Sequence, residues 1–472
     1  MRIALIHCPF EHRKFSENLK IVDEEFCLAP PIILAYVAAI LEKAGHKVII
    51  IDANALKLTK EETLNILKDF NPHIIGFRAD TYWFHRVVEW AGFFKTNMDV
   101  KIITGGININ LYPKESLSYS CFDYGIIGEA NQSLPKLISA IENKLSLKDI
   151  KGVIYKDKNT LIINPPSEET INFDEYPFPA RHLLPNHLYY SFTSQRKNYT
   201  IMLTSTGCPH KCKFCAISKI PYRERSVENI LDEIEECYTK YNAREIDFFD
   251  ATFFINKLRG IKICEGILKR NIKIEWSCRS RIDVVDEDIL KKASEAGCKK
   301  IYYGIESAST KILDTINKGI DTKKIPLIIN LTYKYKIKTL GFFIIGSPEE
   351  TKKDILNSIN FAKKMKLDFI QVCRTIAKPN TDLNELLIKT TGIDYWKEYI
   401  LNKIDLDKKR LPTPWTTLTQ NEIEKLAGRF YREFYFRPSY ILKRVINSKS
   451  KNEFFRYIKV ALRWLFSNKN DT

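Results

Sequence analysis

The sequence predicts an α/β protein of two successive parallel-sheet domains followed by a helical end. Three observations lead there. Short apolar runs alternate with amphipathic segments over residues 1–145, a proline-rich stretch interrupts them, and a second alternation follows. With 472 residues the chain is too long for one ordinary core, so about two or three domains are expected.

In residues 1–145 the strand candidates are RIALIHC, KVIIID, HIIGFRA, VKIITGG and FDYGIIG. Helical segments separate them, among them PIILAYVAAILEKAG, which Gly45 stops, and SLPKLISAIENKL. This alternation implies a doubly wound, Rossmann-like sheet whose ligand sits beyond the strand C-termini. The loops at those ends hold Gly105-Gly106 and Gly128-Glu129. Residues 146–195 read as a linker, punctuated by Pro165, Pro166, Pro177, Pro179 and Pro185. Residues 196–385 resume the pattern with YTIMLTST, EIDFFD, IKIEWSC, KKIYYGIE, KTLGFFIIG and DFIQVCR, each followed by a charged amphipathic helix. Six such units fit a partial, TIM-like (β/α)6 barrel better than a closed eight-fold one, with chemistry on the loops after the strands. Residues 386–472 read as a helical basic extension. From Pro438 to Asn470 there are eight Lys or Arg against one acidic residue, Glu453. Phe454, Ile458, Ala461 and Leu465 fall on one helical face and Arg456, Lys459 and Arg463 on another. Such a helix either caps the barrel, the favoured expectation, or touches anionic lipid at a membrane surface.

The composition, 44% hydrophobic and 28% charged, is globular rather than disordered. The start, MRIALIHCPF, is not a signal peptide, and nowhere do roughly eighteen apolar residues run together, so a soluble cytoplasmic protein is expected. Eleven cysteines without a secretory signal argue against a disulfide framework. The net charge of +17 points either to an anionic partner or to lysine-rich solvated faces.

The stretch STGCPHKCKFCAISK places Cys208, Cys212 and Cys215 in one loop after the first strand of the second domain. A structural zinc site wants four ligands. His210 is the one fourth candidate nearby, and no second CxxC exists. Three ligands without a fourth suggest an iron–sulfur cluster with one iron left open to a small molecule.

The spacing C-x3-C-x2-C, with Phe214 before the last cysteine, resembles the signature of the radical S-adenosylmethionine (radical SAM) superfamily. The resemblance implies a 4Fe-4S cluster on the three cysteines and SAM at its open iron. It further implies that Asp250 meets the methionine amino group, Arg279 its carboxylate, Glu306 and Ser307 the ribose, and Gly341 and Gly346 the adenine. Before such a barrel, ITGGININ and Gly128-Glu129-Ala130-Asn131 resemble the cobalamin-binding domain of the cobalamin-dependent (class B) family, with Gly105, Gly106, Gly128 and Glu129 beside the cofactor. Asp52-Ala53-Asn54-Ala55-Leu56-Lys57 lacks the histidine that ligates cobalt from below in mutases, and Asn108 and Asn131 depart from the family pattern.

What the resemblance implies about activity is a radical methyltransferase acting on an unactivated carbon, fed by an external donor such as flavodoxin or ferredoxin. The alternative is an oxidative cyclase or rearrangement enzyme, as in the anaerobic magnesium-protoporphyrin ester cyclases. A metal-containing nucleic-acid-binding protein is the distant alternative, and no aromatic-basic RNA motif accompanies it. The expected substrate is a small molecule or lipid. His7, His46, His73 and His85 read as structural histidines and Cys373 as a small buried hydrophobe.

Overall fold

The computed structural model describes residues 1–9, 27–158, 160–168, 172–191, 198–406 and 410–447, with side chains described to 442. The chain divides into two units, 1–11 with 28–190 and 393–409, and 12–27 with 191–392 and 410–472.

In the first unit β1 (Arg2–His7), β2 (Lys47–Asp52), β3 (Ile74–Arg78), β4 (Lys101–Gly105) and β5 (Tyr124–Ile126) are the five expected strands. They are parallel, and the sheet order is β2-β1-β3-β4-β5. Helices α1 (Ile32–Lys43), α2 (Lys60–Phe70) and α3 (Phe84–Asn97) make the first crossovers, and α4 (Ala130–Asn143) follows β5. Apolar residues recur along both faces of the strands because helices cover both, so Ile3, Ala4, Leu5 and Ile6 are all buried. The order reverses between β1 and β3, which places the switch-point crevice at His7 and Arg78.

The stretch 146–195, expected as a linker, instead adds two strands to this sheet. β6 (Val153–Asp157) pairs antiparallel with β5, and β7 (Thr160–Ile163) antiparallel with β6. The basic extension is also divided. The helix Tyr395–Ile400 packs on the first unit, with His85 Nε2 2.7 Å from the Tyr399 carbonyl and the Tyr119 hydroxyl donating to that of Ile400 at 2.6 Å.

The second unit is an open six-stranded parallel sheet in sequential order. Its strands are β8 (Tyr199–Met202), β9 (Glu245–Phe248), β10 (Glu275–Ser280), β11 (Cys298–Glu306), β12 (Lys338–Ile345) and β13 (Phe369–Arg374), the six expected. Five helices make the crossovers: α5 (Val227–Thr239), α6 (Lys257–Lys269), α7 (Glu287–Glu295), α8 (Lys324–Lys334) and α9 (Lys352–Lys364). Strand alternation sorts the residues into two faces. Ile246, Phe248, Trp276, Ile301, Tyr303 and Phe343 join the helices in the main core. The other face carries Asp247, Ser277, Arg279 and Tyr302.

An open barrel leaves β13 as an edge strand with unpaired backbone groups. Helix α10 (Gln420–Tyr435) covers it. The Tyr435 hydroxyl bonds the amide and carbonyl of Ile370, both at 2.9 Å, and the Tyr431 hydroxyl those of Val372 at 2.8 and 3.3 Å. The barrel is thus capped upstream of the expected helix. Phe454, Arg456, Ile458, Lys459, Ala461, Arg463 and Leu465 lie outside the described residues. Among the described residues no helix is long and apolar enough to cross a membrane.

Candidate active site

The cysteine loop leaves β8 through Gly207, whose φ is +71°. A Cβ there would lie 2.1 Å from the Pro221 carbonyl oxygen, so only glycine fits. A two-strand ribbon, Ser205–Thr206 against Arg223–Glu224, closes the base of the loop. Inside it the Cys215 amide donates to the Cys212 carbonyl at 3.1 Å, and the Ser218 hydroxyl to the Cys215 carbonyl at 2.6 Å. Lys213 N donates to Ile316 O at 3.0 Å, and the Asn317 amide side chain to Lys211 O at 2.7 Å. These bonds fix the loop from the β11–β12 connection.

All three thiols are free, Cys212 buried and Cys208 and Cys215 partly exposed. Among the described residues no three His, Cys, Asp or Glu side chains stand together as a metal site. The donor set still fits a cluster, since three soft thiols share one loop and none is consumed by a disulfide. Burial pushes the Cys212 thiol up, while Lys318 and Arg281 pull it back toward thiolate. Phe214 lies beneath Lys318, whose Nζ is 5.9 Å from the ring centre.

Gly341 aside, which is mid-strand, the residues expected around SAM lie at or just past strand ends of this unit, and most face protein partners. Asp250 is buried and accepts from Thr204 N at 2.7 Å, from Ser205 Oγ at 2.7 Å and from the Thr204 hydroxyl, with Arg259 at 3.8 Å. Arg279 grips Asp247 with both guanidinium nitrogens, at 2.7 and 3.0 Å. Its guanidinium carbon lies 3.8 Å from the centre of the Phe249 ring and 5.1 Å from that of Tyr302. Glu306 sits in the left-handed region with φ +64° and pairs with buried Lys318 at 2.7 Å. Ser307 N–H and Oγ stay within their own turn and beside Ser358. Gly341 packs against Ile305, and the Gly346 amide donates to Glu350 at 2.6 Å. The Glu350 carboxyl is buried, and desolvation raises it to about 7 despite the amides of Ser347 and Gly346. Cys373, expected buried, is exposed, because it shares its strand face with Gln371 while Ile370 and Val372 face the helices.

In the first unit the glycine loops meet. Gly106 has φ +110°, and a Cβ there would lie 2.8 Å from the Ala79 carbonyl oxygen. The Ala79 amide donates to Gly105 O at 2.7 Å, and the Gly128 amide to the Asn110 side chain at 2.8 Å. Glu129 is exposed and accepts from the Tyr176 hydroxyl. Asp52 caps its turn by accepting from Ala55 N at 3.0 Å and holds the Tyr189 hydroxyl at 2.8 Å. Four polar atoms nearby in the chain are buried with no hydrogen-bond partner: Thr81 Oγ1, Thr104 Oγ1, Asn108 Oδ1 and Asn131 Oδ1. Buried polar atoms are rarely left this way, and a glycine-lined edge with unclaimed hydroxyl and amide oxygens fits an amide-rich cofactor. Two of the histidines are engaged elsewhere: His73 accepts from Arg2 N at 2.9 Å, and His46 lies 3.3 Å from the terminal amine.

Sequence reasoning did not find Asn110, Lys318 or Arg281. Arg281 carries a signal, since it stands one residue past the end of β10 and two after Arg279.

The radical SAM superfamily model matches residues 202–362, and the B12 binding domain model residues 27–138. An uncharacterized methyltransferase of Pyrococcus horikoshii is 32% identical over 421 residues, 88% of this chain and 89% of that protein. The anaerobic magnesium-protoporphyrin IX monomethyl ester cyclase of Rubrivivax gelatinosus is 26% identical over 381 residues, 78% of this chain and 68% of the relative. The fold is similar to that of the cobalamin-dependent S-adenosylmethionine radical enzyme OxsB with aqua-cobalamin bound. There the TM-score is 0.72 at 18% identity, over 99% of this chain and 71% of that one.

Proposed function

The chain belongs to the cobalamin-dependent radical SAM family, and from that premise we propose that it methylates an unactivated carbon of a small-molecule substrate. One observation carries the reading: three free thiols on a single braced loop directly after the first strand of an open parallel barrel. Cys208, Cys212 and Cys215 would hold a 4Fe-4S cluster. Thr104, Asn108 and the Gly105-Gly106 edge would hold cobalamin. When bound, the cluster and SAM supply a carbon radical, and cobalamin supplies the methyl group.

The residues' own work is to bind and orient. Gly207 and the Asn317–Lys211 bond set the loop's path. Arg279 would turn from Asp247 to the methionine carboxylate, one bidentate pair replacing another, while buried Asp247 keeps the hydroxyls of Ser277 and Tyr199. Asp250 has less freedom, because releasing it would strand Thr204 and Ser205. We therefore assign Asp250 to shaping the loop base rather than to the amino group. An external one-electron donor completes the reaction.

The test is anaerobic reconstitution with iron, sulfide and hydroxocobalamin, followed by product analysis with SAM and a reductant. S-adenosylhomocysteine and 5′-deoxyadenosine should form together. 5′-Deoxyadenosine alone would replace methyl transfer by oxidative cyclisation, and zinc at the loop, or turnover that survives alanine at the three cysteines, would end the radical reading.

A further inference from the structure

The loop end of β10 presents a second arginine, and it points at a thiol. Arg281 is buried, and its Nε and one terminal nitrogen clasp Asp283 at 2.9 and 2.7 Å. That same nitrogen donates to the Lys318 carbonyl at 2.6 Å. The remaining nitrogen reaches Cys212 Sγ at 3.8 Å, within range of a hydrogen bond to sulfur. Three of the guanidinium's contacts are thus spent on holding the fourth in place. Lys318 is tied to the same cluster of groups by its carbonyl, and its ammonium is locked on Glu306.

We propose that Arg281 is a positioning residue that donates a hydrogen bond to the Cys212 thiolate and raises the reduction potential of the cluster. The inference rests on the reading that the cysteine loop holds such a cluster. Hydrogen bonds to cluster sulfurs stabilise the reduced form, which carries one more negative charge, more than the oxidised form. Each cation here has its own carboxylate, Asp283 for Arg281 and Glu306 for Lys318, so net charge contributes little. The directed N–H bond is what remains. Arg279, two residues away, serves Asp247, whereas Arg281 adds a sulfur contact to its own carboxylate, Asp283.

The experiment is an anaerobic redox titration followed by electron paramagnetic resonance on reconstituted wild type, Arg281→Met and Arg281→Lys. Iron and sulfide content and circular dichroism are measured on the same samples. The potential of Arg281→Met should fall below wild type, with altered g-values for the reduced cluster, and Arg281→Lys should fall between them. If Arg281→Met fails to fold or load, a lowered potential in Arg281→Lys carries the proposal alone. Unchanged potentials in the loaded variants would overturn it. Loss of iron from both variants with the fold intact would also overturn it, since Arg281 would then build the loop rather than tune it. A wild type that binds no cluster would instead overturn the underlying reading.

Discussion

The two units place polar groups at their strand ends in opposite ways. In the first, Thr81, Thr104, Asn108 and Asn131 bury oxygens that no group answers. In the second, most charged side chains are answered: Asp247 by Arg279, Glu306 by Lys318, Arg281 by Asp283, and Asp250 by the hydroxyls of Thr204 and Ser205. A buried unpartnered oxygen costs about 1–3 kcal/mol, which a ligand can recover without breaking anything. A buried ion pair can accept a ligand only by exchange. The first arrangement suits a cofactor that stays, and the second a cosubstrate that arrives and leaves each turnover.

The largest effect that would break this contrast belongs to Asp250. Replacing it with alanine strands two buried hydroxyls and one buried amide, and takes the carboxylate away from Arg259, which keeps Glu224 and the Thr204 carbonyl. Asp250→Ala should lower stability by about 3–5 kcal/mol in urea unfolding. A stable variant with weakened SAM binding would return Asp250 to the amino-group role and make the second unit's edge less self-contained than described.

Among the described residues, Glu350, in the loop after β12, has a second carboxyl oxygen that is buried with no partner, so it sharpens the contrast. Its folded value, about 7, lies above the ordinary 4.5. The folded protein therefore holds the proton over a range where the unfolded chain has lost it. The stability linked to it is complete below pH 4.5, declines as pH rises to about 7, and is then level, a fall of about 3 kcal/mol. Glu350→Gln keeps an oxygen for the Gly346 and Ser347 amides but cannot ionise. Relative to wild type it should gain stability between pH 5 and pH 8. Parallel denaturation curves at the two pH values would show that the carboxyl is solvated.

Much of this was legible in the chain. The eleven parallel strands stand out because their apolar runs are bounded by loops and separated by helical periods, and the thiol loop because its spacing is informative by itself. The hairpin β6–β7 was hidden, since VIYKD and TLII are short and lie beside Pro165 and Pro166. Asp250 and Arg279 were singled out in the chain, but their present partners were not, because which carboxylate faces which cation depends on strand register. Lys318 lies in a loop between helices, where no periodicity announces that its ammonium is buried. The Tyr431 and Tyr435 pair, four residues apart on α10, did carry a helical-face signal, but nothing local to it names an edge strand as its target.

The smallest effect tests the first unit alone. Thr104 is fully buried on β4, one residue before Gly105, and its hydroxyl oxygen has no partner. Valine has nearly the same shape and removes the oxygen. In cofactor-free protein Thr104→Val should therefore stabilise by about 1 kcal/mol, read as a rise in thermal midpoint. In cobalamin-loaded protein the gain should vanish or reverse, and corrinoid absorbance should be lost faster on desalting. Stabilisation in both forms would mean that the hydroxyl meets no ligand. Destabilisation in the free form would mean that the oxygen already has a partner, and the contrast between an open edge and a paired one would fail where it is simplest to measure.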